Sequence, residues 1–380
     1  MVKYILDNGL ALSLLGISLI LLFFGFRWKK VMLKQLAFNL AAIFFAFLLY
    51  ELYLDYTRQG KKKEIKIDGK VASNYVDYHP TLGYAARDDE MQVELNCRLG
   101  EKQLYEANYQ FRDGWRAVPE DTVPDTAWAA FMGGSFIFGE GLNDEETLPA
   151  QFNRATGGYF KTLNFGFHGY GPHHALRLMD IAEATGKLDT THHCRLAFYL
   201  FIPDHVRRAA GYASWDFNGP KYEIRTASLV NSGQFSGPAD KVSGDHKLTR
   251  ALRDMWQRSD IAHTHFRKEQ IDIDREDIAL TVAIFEALKE KWKDHHTQFI
   301  ILLDQSVDDW TWRAEFEKAL REKSVESISL SKIFTDEQEG LYIEGDGHPT
   351  ALYNALLAEY LSKQQVPYLC QQQVIGSWKH

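Results

Sequence analysis

The sequence predicts a three-layer α/β/α domain with a parallel sheet, preceded by a two-helix transmembrane hairpin and a small β-rich segment. Three observations predict this organisation: two long apolar runs near the N-terminus, short alternating stretches after them, and a repeated strand-helix rhythm in the rest of the chain. We expect the hairpin over residues 1–56, a juxtamembrane linker over 57–70, the β-rich segment over 71–126 and the α/β domain over 127–380.

The first apolar run extends from Gly9 to Phe26 without a formal charge. At a rise of about 1.5 Å per residue it covers most of a hydrocarbon core of about 30 Å. A second run extends from Gln35 to Tyr50. A cleavable signal peptide is the alternative for the first run, but the segment has neither a strong basic n-region nor an obvious A-x-A cleavage site. We therefore expect two retained helices.

Basic residues flank the second helix on both sides. The connection between the two helices carries Arg27, Lys29, Lys30 and Lys34. Such a cluster favours a cytoplasmic connection, and hence an outward, periplasmic position for the soluble domain. A second basic cluster over 58–70 weakens this assignment because it also lies near the membrane, where it would suit anionic headgroups.

The composition argues against some partners and cofactors. The chain has 51 acidic and 43 basic residues, so it lacks the broad basic field that nucleic acid requires. Its three cysteines are widely spaced and form no CxxC pair. Closely spaced histidines occur at His192/His193, His263/His265 and His295/His296. Neighbours in a strand or loop rarely point at one ion, so we expect no metal and no other cofactor.

Short alternating stretches, such as MQVELNCRL and LYEANYQF, predict strands in the β-rich segment, and Asp113-Gly114 predicts a hairpin turn. From Ala127 onward, four apolar runs (AWAAFMGGS, YFKTLNFGF, CRLAFYLFI and TQFIILLDQ) alternate with amphipathic helical stretches. This alternation predicts a parallel sheet whose functional groups lie at the carboxyl ends of its strands. Residues 210–267 do not follow the rhythm, so we expect an insertion there.

The first of these runs ends at Gly133-Gly134-Ser135. Small residues before a serine allow a tight turn from strand to helix that exposes the hydroxyl and leaves nearby amides free to face an oxyanion. The alternative is an ordinary turn in which the serine caps the next helix.

The second run ends in the glycine-rich loop Asn164–Gly171, whose backbone N–H groups can approach a ligand closely. A flexible loop is the alternative. We expect His168, His173 and His174 to be loop or surface histidines, one of which could reach the mouth of the site.

Near the C-terminus, Asp346-Gly347-His348-Pro349 precedes an amphipathic stretch. A histidine ahead of a helix can point into the cleft at the strand ends, and a nearby carboxylate can hold its Nδ1 proton so that Nε2 accepts from a serine. An Asp-Gly turn with a proline at the helix start is the alternative. The position of this motif after the last strand favours the functional interpretation.

The order GGSFxFGxG, NxGxxGxG and DGHP resembles the SGNH/GDSL hydrolase superfamily, including its membrane-anchored bacterial members, over roughly residues 127–363. The resemblance implies an SGNH/flavodoxin-like fold in which Ser135 is the nucleophile and supplies one oxyanion amide. It also implies that Gly169 supplies a second amide. By the same resemblance His348 is the base and Asp346 orients it.

The third block departs from the family pattern. It usually ends in an Asn-Asp pair whose asparagine completes the oxyanion hole, whereas this strand ends in Pro203-Asp204-His205. Proline offers no donor, and the loss of one oxyanion donor costs roughly 10²–10³ in rate. We retain Asn143, Asp204 and His205 as candidate site residues, with Asn143 or His205 as a replacement donor.

A second departure is that one residue separates Asp346 from His348, where two are common in the superfamily. The resemblance implies a membrane-anchored serine esterase or O-acyltransferase that acts on acyl esters of cell-envelope glycans or lipids through an acyl-serine. Its implied partners are membrane lipid, the acylated glycan or lipid substrate, and a membrane protein bound through residues 9–56.

Two other functions remain open. Pro203 favours a catalytically inactive SGNH-like structural or interaction subunit of a membrane assembly, and a cytoplasmic domain would favour an intracellular lipase or thioesterase. Four aromatic residues of the insertion would form a sugar-stacking element, a lid or ordinary packing: Tyr212, Trp215, Phe217 and Tyr222.

Overall fold

The computed structural model describes residues 9–59, 65–68, 75–87, 90–119, 127–185, 194–213, 215–216, 218–235, 273–304, 310–334 and 338–366. The described residues fall into two compact units, one over 9–59 and the other over the described residues from 65 to 366. Several residues considered above lie outside the described residues: Cys370, His192, His193, His263, His265 and Phe217.

The first unit contains two apolar helices, α1 (Gly9–Arg27) and α2 (Val31–Gln59). They pack against each other through small and aliphatic side chains, including Ala11, Leu14 and Leu48. Both helices are long and apolar enough to cross a membrane, and large apolar side chains cover their outer surface. Helix α2 continues into the segment expected to be a linker, because no glycine or proline interrupts it before Gly60.

The second unit begins with antiparallel strands. They are β1 (Ile65–Asp68), β2 (Val76–His79), β3 (Gly83–Ala86), β4 (Met91–Leu99), β5 (Lys102–Arg112) and β6 (Trp115–Arg116). One sheet has the order β1-β4-β5-β6, and β2 pairs with β3. Strand β1 also lies in the expected linker, where it pairs with β4. The positive φ angles of Asp113 and Gly114 form the predicted turn between β5 and β6.

A five-stranded parallel sheet follows, with the order β13-β12-β9-β7-β8. Its strands are β7 (Ala127–Gly133), β8 (Phe160–Gly166), β9 (Cys194–Phe201), β12 (Gln298–Leu303) and β13 (Glu326–Ser329). The helices are α3 (Ser135–Phe138), α4 (Leu148–Ala155), α5 (Pro172–Thr185), α6 (Asp204–Ala209), α7 (Arg275–Asp294), α8 (Arg313–Glu322) and α9 (Ala351–Tyr360).

The sheet is buried on both faces, and alternate residues of β7 contribute to two separate cores. Trp128 and Met132 pack in the core that contains α5, α7 and α8. Ala129 and Phe131 pack in the core that contains α4 and α9. A strand that points successive side chains to opposite faces requires this arrangement when helices cover both sides. The predicted three-layer α/β/α fold is therefore confirmed.

The segment expected to be an insertion contains a hairpin in its described part. Strands β10 (Pro220–Arg225) and β11 (Ser228–Gln234) pair through a turn at Thr226-Ala227. The loop just before this hairpin, at Trp215 and Asp216, lies beside the carboxyl ends of the sheet strands, as its contacts with the loop after β8 show.

Candidate active site

Ser135 is separated from the end of β7 by Gly134 alone, and it begins α3. The turn requires glycine at Gly133, where φ is 151° and an added Cβ would lie 3.0 Å from the Leu200 carbonyl oxygen. A tight strand-helix turn of this kind directs the serine to the carboxyl edge of the sheet. Ser135 is 8 % exposed there.

The structure brings Ser135, His348 and Asp346 together. The Ser135 Oγ lies 2.9 Å from His348 Nε2, and His348 Nδ1 lies 2.5 Å from Asp346 Oδ2. With the Nδ1 proton held by the carboxylate, Nε2 is left to accept the serine proton. The spacing of one residue between Asp346 and His348 therefore permits the same hydrogen-bond chain that the resemblance implied.

A closed loop fixes the histidine in this position. The Ile343 N–H donates to the His348 carbonyl at 2.8 Å, and Tyr342 bridges to Pro349. Beneath the loop, the buried Asp304 at the end of β12 accepts hydrogen bonds from the hydroxyls of Tyr342 at 3.3 Å and Tyr353 at 2.7 Å. Asp304 at the end of β12 and Tyr353 on α9 thus hold the loop in place.

Glu140 is a site residue that the sequence did not reveal. Its Oε2 lies 3.4 Å from His348 Nε2 and 2.8 Å from His168 Nδ1. The other ring nitrogen of His168 lies 2.7 Å from the Tyr75 hydroxyl. Burial alone would raise the pKa of Glu140, but its charge interactions and hydrogen bond with His168 and the charge of His348 outweigh it and lower the pKa to about 2. The carboxylate is therefore ionised at neutral pH.

The pKa of His348 is shifted upward from 6.5 by its surroundings. Burial acts in the opposite direction, but the hydrogen bond to Asp346 and the negative charges of Glu140 and Asp346 exceed that effect. The site thus strengthens His348 as a base.

Gly169 lies in the loop after β8 and lines a cavity together with Glu140. Its φ is 70°, and an added Cβ would lie 2.4 Å from Trp215 Nε1 and 2.7 Å from the Tyr84 hydroxyl. The Trp215 indole donates to the Gly169 carbonyl at 3.3 Å. Among the described residues, no backbone carbonyl accepts from the N–H of Gly169 or Ser135.

Of the three further candidates from the third block and its surroundings, Asn143 pairs away from Ser135, whereas His205 is buried beside Gly134, where an added Cβ would lie 3.1 Å from its Nε2. Asn143 accepts a hydrogen bond from the Asn108 N–H at 3.0 Å and begins a short 3-10 turn, so it pairs with β5 instead of facing an oxyanion. His205 is 1 % exposed, with Nδ1 3.0 Å from the Tyr199 hydroxyl. Burial lowers its pKa far below the usual value, so the ring is neutral.

The third candidate, Asp204, holds the side chain of Arg208, which lies on the same helix. Pro203 caps α6, and Asp204 at the first position of the helix pairs with Arg208 Nε at 2.8 Å, one turn later. The Arg208 Nη1 donates to the Tyr170 carbonyl at 2.9 Å. Arg208 was not recognised in the sequence, because an arginine on a helix is usually a surface residue.

A cavity of about 880 Å³ opens beside these groups. Its walls come from the β-rich segment, the loop after β8 and the loop after α6. The charged and polar lining includes Glu140, His168 and Arg208. The aromatic lining consists of Tyr75, Tyr84, Tyr105, Phe167 and Trp215. Trp215 is therefore a cavity residue, whereas Tyr222 is buried in the main core.

The expectation that His173 and His174 are loop or surface residues is wrong, because both are fully buried at the start of α5. His173 Nε2 lies 2.8 Å from Asp216 Oδ2, and His174 Nε2 lies 3.5 Å from Oδ1. Burial and the nearby His174 lower the pKa of His173 to about 4. Among the described residues this is the one group with ligand-type spacing for a metal, and its hydrogen bond between His173 and Asp216 joins the start of α5 to the loop of Trp215.

The loop after Ser135 is held by a buried arginine from the β-rich segment. Arg116 donates to Asp144 at 2.9 Å and to the carbonyl oxygens of Phe138 at 2.7 Å and Leu142 at 2.5 Å. Its guanidinium also lies 4.1 Å from the centre of the Tyr109 ring. The β-rich segment therefore supports the position of α3 and of Glu140.

No protein-family model and no curated protein matches this chain. Solved structures with a related fold include a lipolytic protein of the G-D-S-L family from Desulfitobacterium hafniense, at 14 % identity and a TM-score of 0.33, over 63 % of this chain and 99 % of that one. A carbohydrate acetylesterase from Sinorhizobium meliloti has 8 % identity and a TM-score of 0.35, over 64 % and 100 %. An acetyl xylan esterase from Butyrivibrio proteoclasticus has 10 % identity and a TM-score of 0.37, over 78 % and 97 %.

The chemistry of the site rests on this chain's own residues. The parallel sheet has the order β13-β12-β9-β7-β8. It carries a serine at the end of β7, a glycine-rich loop after β8 and a histidine just ahead of the last helix. This chain therefore has a three-layer α/β/α fold with a parallel sheet, and the solved structures that it resembles include a lipolytic protein of the G-D-S-L family and acetylesterases.

Proposed function

We propose that this protein is a membrane-anchored serine esterase or O-acyltransferase that acts on acyl esters of cell-envelope glycans or lipids. The observation that carries the proposal is the hydrogen-bond chain from Ser135 Oγ through His348 to Asp346, with distances of 2.9 Å and 2.5 Å. A serine hydroxyl is a weak nucleophile until a positioned base removes its proton, and this geometry supplies that base.

In the first step, Ser135 Oγ forms a bond to the ester carbonyl carbon while His348 Nε2 takes the hydroxyl proton. The carbonyl π electrons move to the oxygen, and the N–H groups of Ser135 and Gly169 stabilise the resulting oxyanion. The intermediate then collapses, the bond to the alcohol oxygen breaks, and the leaving alcohol takes the proton from His348. The product is an acyl-serine.

In the second step, a water molecule or a sugar hydroxyl attacks the acyl-serine and gives its proton to His348. Collapse of this second intermediate returns the proton to Ser135 Oγ and releases an acid or a new ester. Hydrolysis and transfer thus differ only in the nucleophile that the cavity admits.

The cavity supports an acylated glycan or lipid as substrate. Its volume of about 880 Å³ far exceeds the volume of an acetyl group, so most of it is left for the alcohol portion of the ester. Aromatic rings combined with charged and polar side chains are suited to sugar rings, which present apolar faces and a rim of hydroxyls. Trp215 and Tyr84 lie closest to Gly169 and would contact the alcohol portion next to the scissile bond.

The apolar pair α1 and α2 supports a membrane anchor, with the basic connection at Arg27, Lys29 and Lys30 on the cytoplasmic side. The catalytic domain would then face the cell envelope. Protease treatment of intact cells and of permeabilised cells that express the chain tests this orientation. Digestion of the domain in intact cells supports an outward position, whereas digestion only after permeabilisation assigns the domain to the cytoplasm.

The catalytic proposal is tested by ester turnover of the full chain in detergent. We expect hydrolysis of p-nitrophenyl acetate and deacetylation of acetylated oligosaccharides, with transfer to added sugar acceptors followed by mass spectrometry. Ser135→Ala removes this activity, and the matched control Ser228→Ala, at an exposed site on β11, retains it. Equal rates in the wild type and in Ser135→Ala would reject the proposal in favour of an inactive SGNH-like subunit.

A further inference from the structure

We propose that the guanidinium of Arg208 is the third oxyanion donor of this site, in place of the asparagine that Pro203 displaces from the third block. This inference rests on the proposed function, because the oxyanion forms only when Ser135 attacks an ester.

Arg208 is fixed by the element that carries the departure from the family pattern. Strand β9 ends at Phe201, Pro203 begins the turn into α6, and Arg208 lies one helical turn after Asp204. The Asp204 carboxylate accepts from Arg208 Nε at 2.8 Å, in the i,i+4 geometry of a helix. The side chain is 10 % exposed, so its orientation is set by packing and not by solvent.

The guanidinium lies between the two backbone segments that carry the oxyanion amides. Its Nη1 donates to the carbonyl of Tyr170, the residue after Gly169, at 2.9 Å. A Cβ added at Gly134, the residue before Ser135, would lie 2.8 Å from the same Nη1. The same nitrogen therefore binds the neighbour of one amide and lies close to the neighbour of the other, as a third donor requires.

One side of the guanidinium remains available to a ligand. Among the described residues, none accepts a hydrogen bond from Arg208 Nη2, and Arg208 lines the cavity together with Gly169 and Glu140. The Trp215 ring covers another side, with its centre 5.6 Å from the guanidinium carbon. A nearly buried cation with an unused donor directed at a cavity is suited to an anion, and the tetrahedral oxyanion is the anion that forms there.

The charge balance of the site supports the same role. Glu140 places an ionised carboxylate beside His348, and this charge strengthens the base but opposes a second negative charge on the substrate. A neutral asparagine would leave that repulsion unopposed, whereas a guanidinium offsets it. In this cavity the positive charge of Arg208 thus offsets the negative charge of Glu140.

The test compares p-nitrophenyl acetate turnover by the full chain with Arg208→Met, Arg208→Lys and the control Arg207→Gln, which lies on the same helix and is more exposed. Removal of one oxyanion donor lowers kcat by roughly 10²–10³, so we expect a loss of that size in Arg208→Met with KM little changed. Arg208→Lys keeps a positive charge that can pair with Asp204, so we expect this variant to fold. It lacks the planar guanidinium with its several N–H donors, so we expect kcat to fall about tenfold or more.

A rescue experiment separates this role from a purely structural one. Added guanidinium ion, at a few millimolar, restores part of the kcat of Arg208→Ala, and sodium chloride at equal ionic strength does not. A kcat within about threefold of wild type in either folded variant, or a loss confined to KM, would overturn the Arg208 proposal and leave the proposed function intact. Failure of the wild type to form an acyl-serine would instead reject both.

Discussion

The Glu140 carboxylate lies 3.4 Å from the same nitrogen of His348 that binds Ser135 at 2.9 Å. His348 thus faces two carboxylates, Asp346 at Nδ1 and Glu140 at Nε2. In the proposed mechanism they would together stabilise the protonated imidazole that forms when Ser135 loses its proton. The second carboxylate, Glu140, lies in the loop that follows Ser135 and α3. The segment that carries the serine therefore also raises the pKa of His348.

Removal of the Glu140 charge should move the acid limb of the pH profile. The negative charge raises the pKa of His348, and activity is lost as pH falls through that raised pKa because the base becomes protonated. Glu140→Gln lowers the pKa of His348, so the acid limb of kcat/KM shifts to lower pH. Glu344→Gln is the control, since Glu344 lies in the same loop as His348 with a side chain that is 90 % exposed. An unchanged limb in Glu140→Gln would show that the carboxylate does not act on the base.

Replacement of Asp346 should disrupt the base without removing it. In Asp346→Asn the amide can donate to Nδ1, which places the proton on Nε2 and leaves no acceptor for the serine hydroxyl. We expect kcat to fall on the order of 10⁴-fold with little effect on folding. Asp294→Asn, at the exposed end of α7, serves as the control. A loss smaller than about tenfold would mean that the Asp346 carboxylate is not needed to hold the Nδ1 proton of His348.

Gly169→Ala tests the second oxyanion amide. The added Cβ would collide with Trp215 Nε1 at 2.4 Å and with the Tyr84 hydroxyl at 2.7 Å, so the loop must shift. Displacement of one donor predicts a loss of roughly 10²–10³ in kcat. Gly157→Ala is matched for backbone strain, since φ is 62° there, but the Cβ meets no atom within 4 Å. Equal effects of the two substitutions on kcat would argue against a role for the Gly169 amide.

Arg116 should be essential to stability although it lies outside the cavity. Arg116→Met removes the guanidinium that pairs with the buried Asp144 and donates to three backbone carbonyls, those of Phe138, Gly139 and Leu142. Loss of one partner from a buried ion pair typically costs about 3–5 kcal/mol, and we expect a decrease of that size in the free energy of unfolding by denaturant. Arg112→Met is the control, because that side chain is 72 % exposed. A decrease below about 1 kcal/mol would show that the contacts of Arg116 are not stabilising.

Four of the five sheet strands were predictable because each is a short apolar run bounded by glycine or a polar turn, as Ala127–Gly133 illustrates. Strand β13 (Glu326–Ser329) was missed because its sequence is largely polar. The positions of Ser135 and His348 could be predicted for a related reason, since each lies in a motif at the end of a strand or the start of a helix. The boundary of α2 and strand β1 were missed because their sequences are polar. Nothing in the sequence of Ile65–Asp68 reveals its pairing with β4, which is a contact with residues thirty positions away.

Glu140 and Arg208 were missed for a different reason. Each is a charged residue in a loop or short helix, where charged residues are usually solvated. Their roles arise from packing between distant segments: His168 and Tyr75 enclose Glu140, while Asp204 and Tyr170 hold Arg208. The buried His173 and His174 illustrate the same limit, because Asp216 approaches them only after the chain has folded.

The most direct test of the central claim is covalent labelling of the full chain by a fluorophosphonate, followed by peptide mass spectrometry. We expect a single adduct on Ser135, a labelling rate that falls strongly in His348→Ala, and no adduct in Ser135→Ala. Absence of an adduct in the wild type, or an adduct on another residue that persists in Ser135→Ala, would contradict the assignment of Ser135 and His348 as nucleophile and base.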